Sequence, residues 1–551
     1  MAKMTGGQAI VRTLTGHGID TIFGLPGVQL DNTFDALYEA RNSIRTIHTR
    51  HEQGAAYMAL GYAQSSGKVG ACIVGPGPGL LNTGAALATA AASNAPVLCI
   101  GGQLPSSQIG GGVGMTHEIR DQSAAMRGVA KWVGRAESAT EAPDVLREAF
   151  RQMLGTRHQP VVFEMAPDIM GRAEDVELLD REDYDASAQP DDNALDQAAA
   201  ILAQAEKPAI FVGSGVFGAE AELRRLSEML EAPVIMSRTG RGALDDSDYR
   251  AQGMIAGQNI WPTVDAALVV GTRFTTPALA WGRADAVKTI RIDIDGVQAT
   301  KPRPADVTII SSARNGLAAL GDRLGDRLGD RIDLNNRDRP SREAELRAIK
   351  ANTQAKLETL EPQYGFARVI RDEIPDDGIV VTDVTQMATF LQNWMPVHHP
   401  RTLITPGYQA TLGYAFPTAL GAQVAHPDRK VVCISGDGGF MFNVQELSTA
   451  VAHHIDVVTI VFADKAFGNV KRFQKESYGE RYIAVDLHNP DFVALAHSFG
   501  MTGIRAETPD ALRAALREAF AAPGPALIEV PVGEMPSIWK LIQRPSSSGA
   551  S

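Results

Sequence analysis

Short apolar runs alternate with longer amphipathic segments along most of the 551 residues. In the first third, residues 21–23, 44–48, 69–74 and 96–100 read as strands. Residues 8–15, 31–40, 52–62 and 81–92 between them have helical periodicity. The middle third repeats the pattern, with strands at 208–213, 233–236, 266–270 and 289–294 and a helix at 219–230. The last third has strands at 378–382, 402–405, 431–435, 457–462 and 526–530, with helical character from 440 to 453. Glycine turns follow several of the strands, and strand–helix alternation builds parallel sheets. The predicted fold class is α/β, with three doubly wound parallel-sheet domains. Polar stretches at 174–192 and 335–350 read as linkers, which sets expected blocks of 1–173, 190–335 and 355–535 and a tail at 536–551. The tandem GDRLGDRLGDRI (321–332) reads as a solvated helix or loop, and the closing RPSSSGAS as disordered.

Composition removes some function classes. The net charge is −12 and Lys and Arg are dispersed, which argues against a nucleic-acid partner. No apolar run reaches membrane-spanning length and the first residues carry no secretory leader, so no membrane partner is expected. Cys72, Cys99 and Cys433 sit in or beside apolar runs without metal-type spacing. They read as buried thiols of a reducing compartment, and a cytoplasmic location is expected.

The chain is organised around residues 431–474, a strand, a glycine turn, a helix, a second strand and a second turn. The first turn is Gly436-Asp437-Gly438-Gly439 and the second is Ala463-Asp464-Lys465-Ala466-Phe467-Gly468. Asp464 follows Asp437 by 27 residues, so the two carboxylates fall at the ends of adjacent strands. Two oxygen ligands placed so can clamp one hard cation, and the glycine turn can offer N–H groups to a diphosphate. GDG alone is a common turn. The other glycine-rich loop, Gly75-Pro76-Gly77-Pro78-Gly79, lacks the Lys-Ser/Thr of a P-loop.

GDG, this spacer and the ADKAFG turn together resemble the metal and diphosphate motif of thiamine diphosphate enzymes. The nearest branch holds acetolactate synthases, benzoylformate decarboxylases and pyruvate oxidases. The segment Arg50-His51-Glu52-Gln53-Gly54-Ala55 is closely similar to the family's RHEQGA stretch, and residues 407–417 to its stretch before a helix. Three α/β blocks match the family's order of pyrimidine-binding, central and diphosphate-binding domains, so the resemblance covers nearly the whole chain.

The resemblance implies roles residue by residue. Glu52 is the catalytic carboxylate that hydrogen-bonds the cofactor's pyrimidine nitrogen. Leu412 bends the cofactor, and the Ala410 carbonyl accepts from its amino group. Asp437, Asp464 and the Ala466 carbonyl hold Mg²⁺, with Gly436, Gly438, Gly439, Phe467 and Gly468 around the diphosphate. Asp464 stands where the family usually has Asn. Val28 and Gln29, after the first strand, are candidates to face substrate. His117 falls at the Gln position of an acetolactate synthase Phe-Gln-Glu sequence and is a second catalytic candidate. Lys471 and Phe473 stand where a lid and a substrate-shaping Trp begin, Phe473 at the Trp position. In the central block Gly271, Arg273 and Phe274 match a flavin segment that here lacks two Asp; Gly213, Gly215 and Gly218 do not add to that match. FAD, ADP or neither stays open there, with the missing acids weighing against FAD.

The implied activity is decarboxylation of a 2-oxo acid, with the fragment joined to an acceptor carbonyl. Alternatives are a simple decarboxylase releasing an aldehyde, a 2-hydroxyacyl thioester lyase, and a non-catalytic binding homologue. The resemblance also implies a small-molecule carbonyl substrate and a homodimer or homotetramer.

Overall fold

The protein is seen in a computed structural model that describes residues 1–184, 188–328 and 341–541. Residues 329–332 of the tandem repeat, 335–340 of the second linker and the RPSSSGAS tail lie outside the described residues. Three six-stranded sheets form. In the first, the strands run in the order Arg45–His48, Thr21–Gly24, Gly70–Val74, Val97–Gly102, Val161–Met165 and Trp132–Ala136, all parallel. In the third, the order is Leu403–Ile404, Ile379–Thr382, Val431–Gly436, Val458–Ala463, Ala526–Pro531 and Thr502–Arg505. Numbered along the chain, both read 2-1-3-4-6-5. The middle sheet reads 3-2-1-4-5-6 from Ala251–Gly253 to Val307–Ile310, and its pairs are also parallel. The expected α/β class is what forms.

The residues gather into two compact units. One holds 1–186, 378–385 and 404–533, and so contains the first and third sheets. The other holds 187–377, 386–403 and 534–551 around the middle sheet. Residues 355–377 and 386–403 of the expected third block therefore pack with the middle sheet. Among the described residues no helix is long and apolar enough to cross a membrane.

In the first unit, one hydrophobic core takes residues from both sheets' coverings, among them Tyr57, Met58, Tyr414, Phe416 and Phe440. The helices Glu52–Ser66 and Ala415–Ala425 cross there at backbone contact. A Cβ on Gly61 would lie 1.9 Å from the Thr418 carbonyl oxygen, and one on Gly421 would lie 1.9 Å from that of Met58. Only glycine permits this approach. His51 caps the first of these helices by accepting from the Gln53 N–H, and Gly67, in the left-handed region, ends it.

Several expectations need correction. The GPGPG turn is shorter than expected, because a helix already starts at Pro78, a residue suited to a first helical position. The helical segment expected over 440–453 is three pieces: Asp437–Phe440, Met441–Glu446 and Leu447–Ala452, kinked at Asn443 (φ −129°). The first linker begins as a strand, Ala173–Val176, antiparallel to Ala2–Thr5. The helix Ala313–Leu328 runs into the tandem repeat and buries Leu324 of it, so the repeat's described part is helix with one side on the core rather than wholly solvated.

A second seam between the sheets of this unit joins His48 and His453. The His453 Nε2 accepts from the His48 N–H (3.2 Å) and lies 2.9 Å from His48 Nδ1. Burial, with the His48 and Arg45 charges behind it, pushes the His453 pKa down to about 4. A histidine depressed in the fold binds fewer protons than in the unfolded chain between its two pKa values. Its stabilising share is whole above about pH 6.5 and is lost as pH falls toward 4. The Tm of the wild type is thus expected to fall more steeply from pH 6.5 to 4 than that of His453→Gln. Parallel slopes in a pH series of thermal melts would contradict it.

Candidate functional site

In the third sheet the chain leaves Ile379–Thr382 first to one side and then, at Val431–Gly436, to the other. Ligands in open α/β sheets bind outside the strand ends at such a reversal. Three acids stand at consecutive strand ends here: Asp383 after Ile379–Thr382, Asp437 after Val431–Gly436, and Asp464 after Val458–Ala463.

Asp437 is buried. Its Oδ1 accepts from the Gly438 N–H (2.9 Å), and its Oδ2 from the Lys465 N–H (2.8 Å) and from Asn489 Nδ2 (2.6 Å). Asp464 accepts from the Ala466 N–H (3.1 Å). Burial, and then the neighbouring Asp437 carboxylate, push the Asp464 pKa up to about 6. The two acids are therefore close enough to repel. Gly438 and Gly439 are required by what surrounds them. A Cβ on Gly438 would lie 2.8 Å from the Phe467 ring, and one on Gly439 2.7 Å from Asp383 Oδ2.

This donor set fits a hard divalent cation. Two repelling carboxylates on neighbouring strand ends are what such an ion discharges. Among the described residues no group of three or more His, Cys, Asp or Glu assembles. A cation at this pair would complete its shell with backbone carbonyls, water or ligand oxygens.

The expected residues Gly436, Asp437, Gly438, Gly439, Asp464, Ala466, Phe467 and Gly468 all sit in this strand-end region. Leu412 is half-buried and belongs to no core cluster, while Ala410 is exposed with φ at 51°. Lys471 lies on the helix Gly468–Tyr478. Its Nζ is paired with Asp486 at 2.5 Å and lies over the Tyr482 ring, so its charge is already answered. Phe473 is exposed on the same helix, Gly468–Tyr478.

Glu52, Val28, Gln29 and His117 stand instead at the carboxyl end of the first sheet. Glu52 is half-buried; its Oε2 accepts from Asn82 Nδ2 at 3.0 Å, and Gly79 leaves room beside Oε1. Val28 is 81% exposed and Gln29 half-buried. His117 is exposed with φ at 69°, and its carbonyl lies so close to Gly77 that a Cβ there would be at 2.1 Å. Gln122 secures that turn by accepting from the Gly77 N–H (2.7 Å) and donating to Gly102 O (3.0 Å).

Four further residues, not anticipated from the sequence, shape the region. Asp383 is fully buried and accepts from Ser435 Oγ (3.1 Å) and the Val384 N–H (2.8 Å); burial pushes its pKa up to about 6. It has the same signal as Asp437, an acid directly after an apolar strand. Glu446 accepts from the Arg50 and His51 N–H groups and so ties the glycine-turn segment to the start of the Glu52 helix. Asn443 and Asn489 act across loops, where no local pattern marks them. In the other unit, the turns at Gly213, Gly215, Gly240 and Gly271 pack backbone on backbone.

The chain matches three family models. They are the thiamine pyrophosphate enzyme N-terminal TPP binding domain over residues 4–125, the central domain over 195–320, and the C-terminal TPP binding domain over 383–530. It is 31% identical to a probable acetolactate synthase large subunit of Methanocaldococcus jannaschii, over 96% of this chain and 92% of that protein. It is 32% identical to the acetolactate synthase large subunit of Haemophilus influenzae, over 94% and 93%. The acetolactate synthase isozyme 2 large subunit of Escherichia coli is 31% identical, over 98% and 97%. The strand order, the strand-end acids and this full-length similarity agree: the chain belongs to the thiamine pyrophosphate enzyme family, on its acetolactate synthase branch, and is a thiamine diphosphate-dependent enzyme.

Proposed function

We propose that this enzyme decarboxylates a 2-oxo acid and joins the remaining fragment to the carbonyl of an acceptor, a reading supported by relatives named as acetolactate synthases. The observation that carries the reading is the Asp437–Asp464 pair on adjacent strand ends beside the glycine turn. Asp437, Asp464 and the Ala466 carbonyl would hold Mg²⁺. Gly436, Gly438, Gly439, Phe467 and Gly468 would receive the diphosphate. Bound thiamine diphosphate supplies a carbon nucleophile that takes up the electrons of a cleaved carbon–carbon bond.

The remaining roles fall to this chain's own groups. Glu52, its Oε2 held by Asn82, keeps a carboxylate oxygen available to the cofactor's pyrimidine. Leu412, exposed enough to touch a ligand, would bend the cofactor, and Ala410 would offer its carbonyl. Val28, Gln29 and His117 would face substrate, with Phe473 shaping the acceptor side. Because Lys471 is paired with Asp486, it is left out of carboxylate recognition. The buried free thiols Cys72, Cys99 and Cys433 suit a reducing cytoplasm.

Two copies are proposed to complete the site, the first sheet of one facing the third sheet of the other. Exposed apolar side chains at these strand-end regions support this, including Val28 (81% exposed), Phe442 (50%) and Phe473 (40%). Sedimentation at micromolar concentration is expected to show a dimer or larger assembly, and a monomer under cofactor-saturated conditions would refute the shared site.

Asp437→Ala is expected to abolish Mg²⁺-dependent cofactor binding in calorimetry. Asp464→Asn should retain it, since the amide keeps an oxygen ligand and removes the repulsion that raises the Asp464 pKa. Loss of binding in Asp464→Asn would show that the second charge is needed. For the reaction itself, incubation with a panel of 2-oxo acids should yield hydroxy-keto acid products in which two substrate molecules are joined. Aldehyde as the sole product would overturn the ligation reading.

A further inference from the structure

The turn that carries Ala410 and Leu412 meets the glycine-turn segment at Gly413. Asn443 donates from Nδ2 to the Gly413 carbonyl at 2.8 Å. Asp383, buried beside the same turn, has the Gly413 and Ala415 N–H groups among the neighbours that favour its charged form. Gly413 itself is at φ 78°, and a Cβ there would lie 2.5 Å from Phe442 Cβ and 3.0 Å from Asn443 Nδ2. No other residue type fits between the two segments without displacing one of them.

The placement of the two clamping side chains is specific. Asn443 is completely buried at the kink that breaks the helix after the glycine turn, and Gln445 Nε2 lies 3.4 Å from its Oδ1. Asp383 lies under Gly439 at the end of the neighbouring strand, and also takes the Ser435 hydroxyl. Both partners of the Gly413 peptide therefore come from the elements that form the metal and diphosphate end of the crevice. A fourth tie, Thr411 Oγ1 to Thr89 Oγ1 at 2.9 Å, holds the same turn to the helix Gly84–Ser93 of the first sheet's covering. Leu412 lies between these fixed points, and the kink at Asn443 is the local cost of aiming its amide at Gly413 rather than continuing the helix.

We infer that Asn443 and Asp383 are positioning residues that set the height of Leu412 and Ala410 above the glycine turn, so that a cofactor anchored at its diphosphate meets its bending residue at the correct distance. This rests on the proposed roles of Leu412 and Ala410. It separates two parts of cofactor recognition. Anchoring of the diphosphate depends on Asp437, Asp464 and the glycine turn, and fit of the thiamine portion depends on the clasped turn.

Two probes resolve these parts: thiamine diphosphate with Mg²⁺, and inorganic diphosphate with Mg²⁺, each titrated calorimetrically into the intact protein. Asn443→Ala leaves the buried Gly413 carbonyl unpaired, and is expected to weaken thiamine diphosphate by about tenfold or more. Inorganic diphosphate should stay within about twofold of wild type, an energy difference well under that of one hydrogen bond. Gly413→Ala, which strains the same peptide from the other side, should give the same pattern and decides the matter if Asn443→Ala does not fold. Equal loss of both probes, or loss of neither, would overturn the inference, since a merely structural role or no role predicts those results. A wild type that binds inorganic diphosphate but not thiamine diphosphate would instead sink the reading of Leu412 and Ala410.

Discussion

The crossing of the helices Glu52–Ser66 and Ala415–Ala425 is the contact on which the unit holding the first and third sheets depends. Two glycines, Gly61 and Gly421, let each backbone reach the other's carbonyls at a separation no side chain allows. A crossing this close leaves little freedom for sliding or rotation, because protein interiors repack in steps rather than deform smoothly. The two crossing helices also follow directly on candidate site segments. Glu52 opens one helix, and the Gly407–Tyr414 region that carries Ala410 and Leu412 leads into the other. The positions of Glu52 on the first sheet and Leu412 on the third are thus tied to one packing event. Glu446 reinforces it by accepting the Arg50 and His51 N–H groups directly ahead of Glu52.

The first and third sheets share the strand order 2-1-3-4-6-5. Each therefore reverses between its first and third strands, and each places its candidate residues near there: Val28, Gln29, Glu52 and the glycine-rich loop on one, Asp383, Asp437 and the Gly413 turn on the other. The division of labour follows from the chemistry of each end. The third sheet gathers acids and glycines, which suits a cation and phosphate oxygens. The first has one carboxylate tied by an amide, beside turns that leave open surface. Neither end has both parts, which is the argument behind the proposal of a site shared between two copies.

The strand and helix pattern was readable because buried parallel strands are short apolar runs separated by helical periodicity, as at Val431–Gly436 and Val458–Ala463. The strands left uncalled include Trp132–Ala136 and Thr502–Arg505, both at sheet edges and mostly half-buried, where the apolar signal fades. Val161–Met165 was a different omission: it is wholly buried, and its Glu164, whose Oε2 accepts from Ser123 Oγ and is approached by Gln103, is a charged residue that interrupts a core strand. Asp437 and Asp464 were legible from spacing, and Glu52, Leu412 and Ala410 from resemblance. Asp383 carried the same strand-end signal without a glycine turn to draw attention. Asn443 and Asn489 had none, since their roles are set by a kink and by a loop that returns from more than twenty residues beyond Gly468.

Asp464 is where sequence and structure meet most directly. Where the family usually has an amide, this chain has an acid that the fold itself holds partly toward its protonated form, by burial and by Asp437. An amide at that position would offer one oxygen without charge. The acid offers the same oxygen and adds a charge that draws a cation more strongly when the diphosphate is absent, and repels the diphosphate once it arrives. In the proposed site such a charge would favour the cation over the diphosphate, the opposite balance to that of an amide.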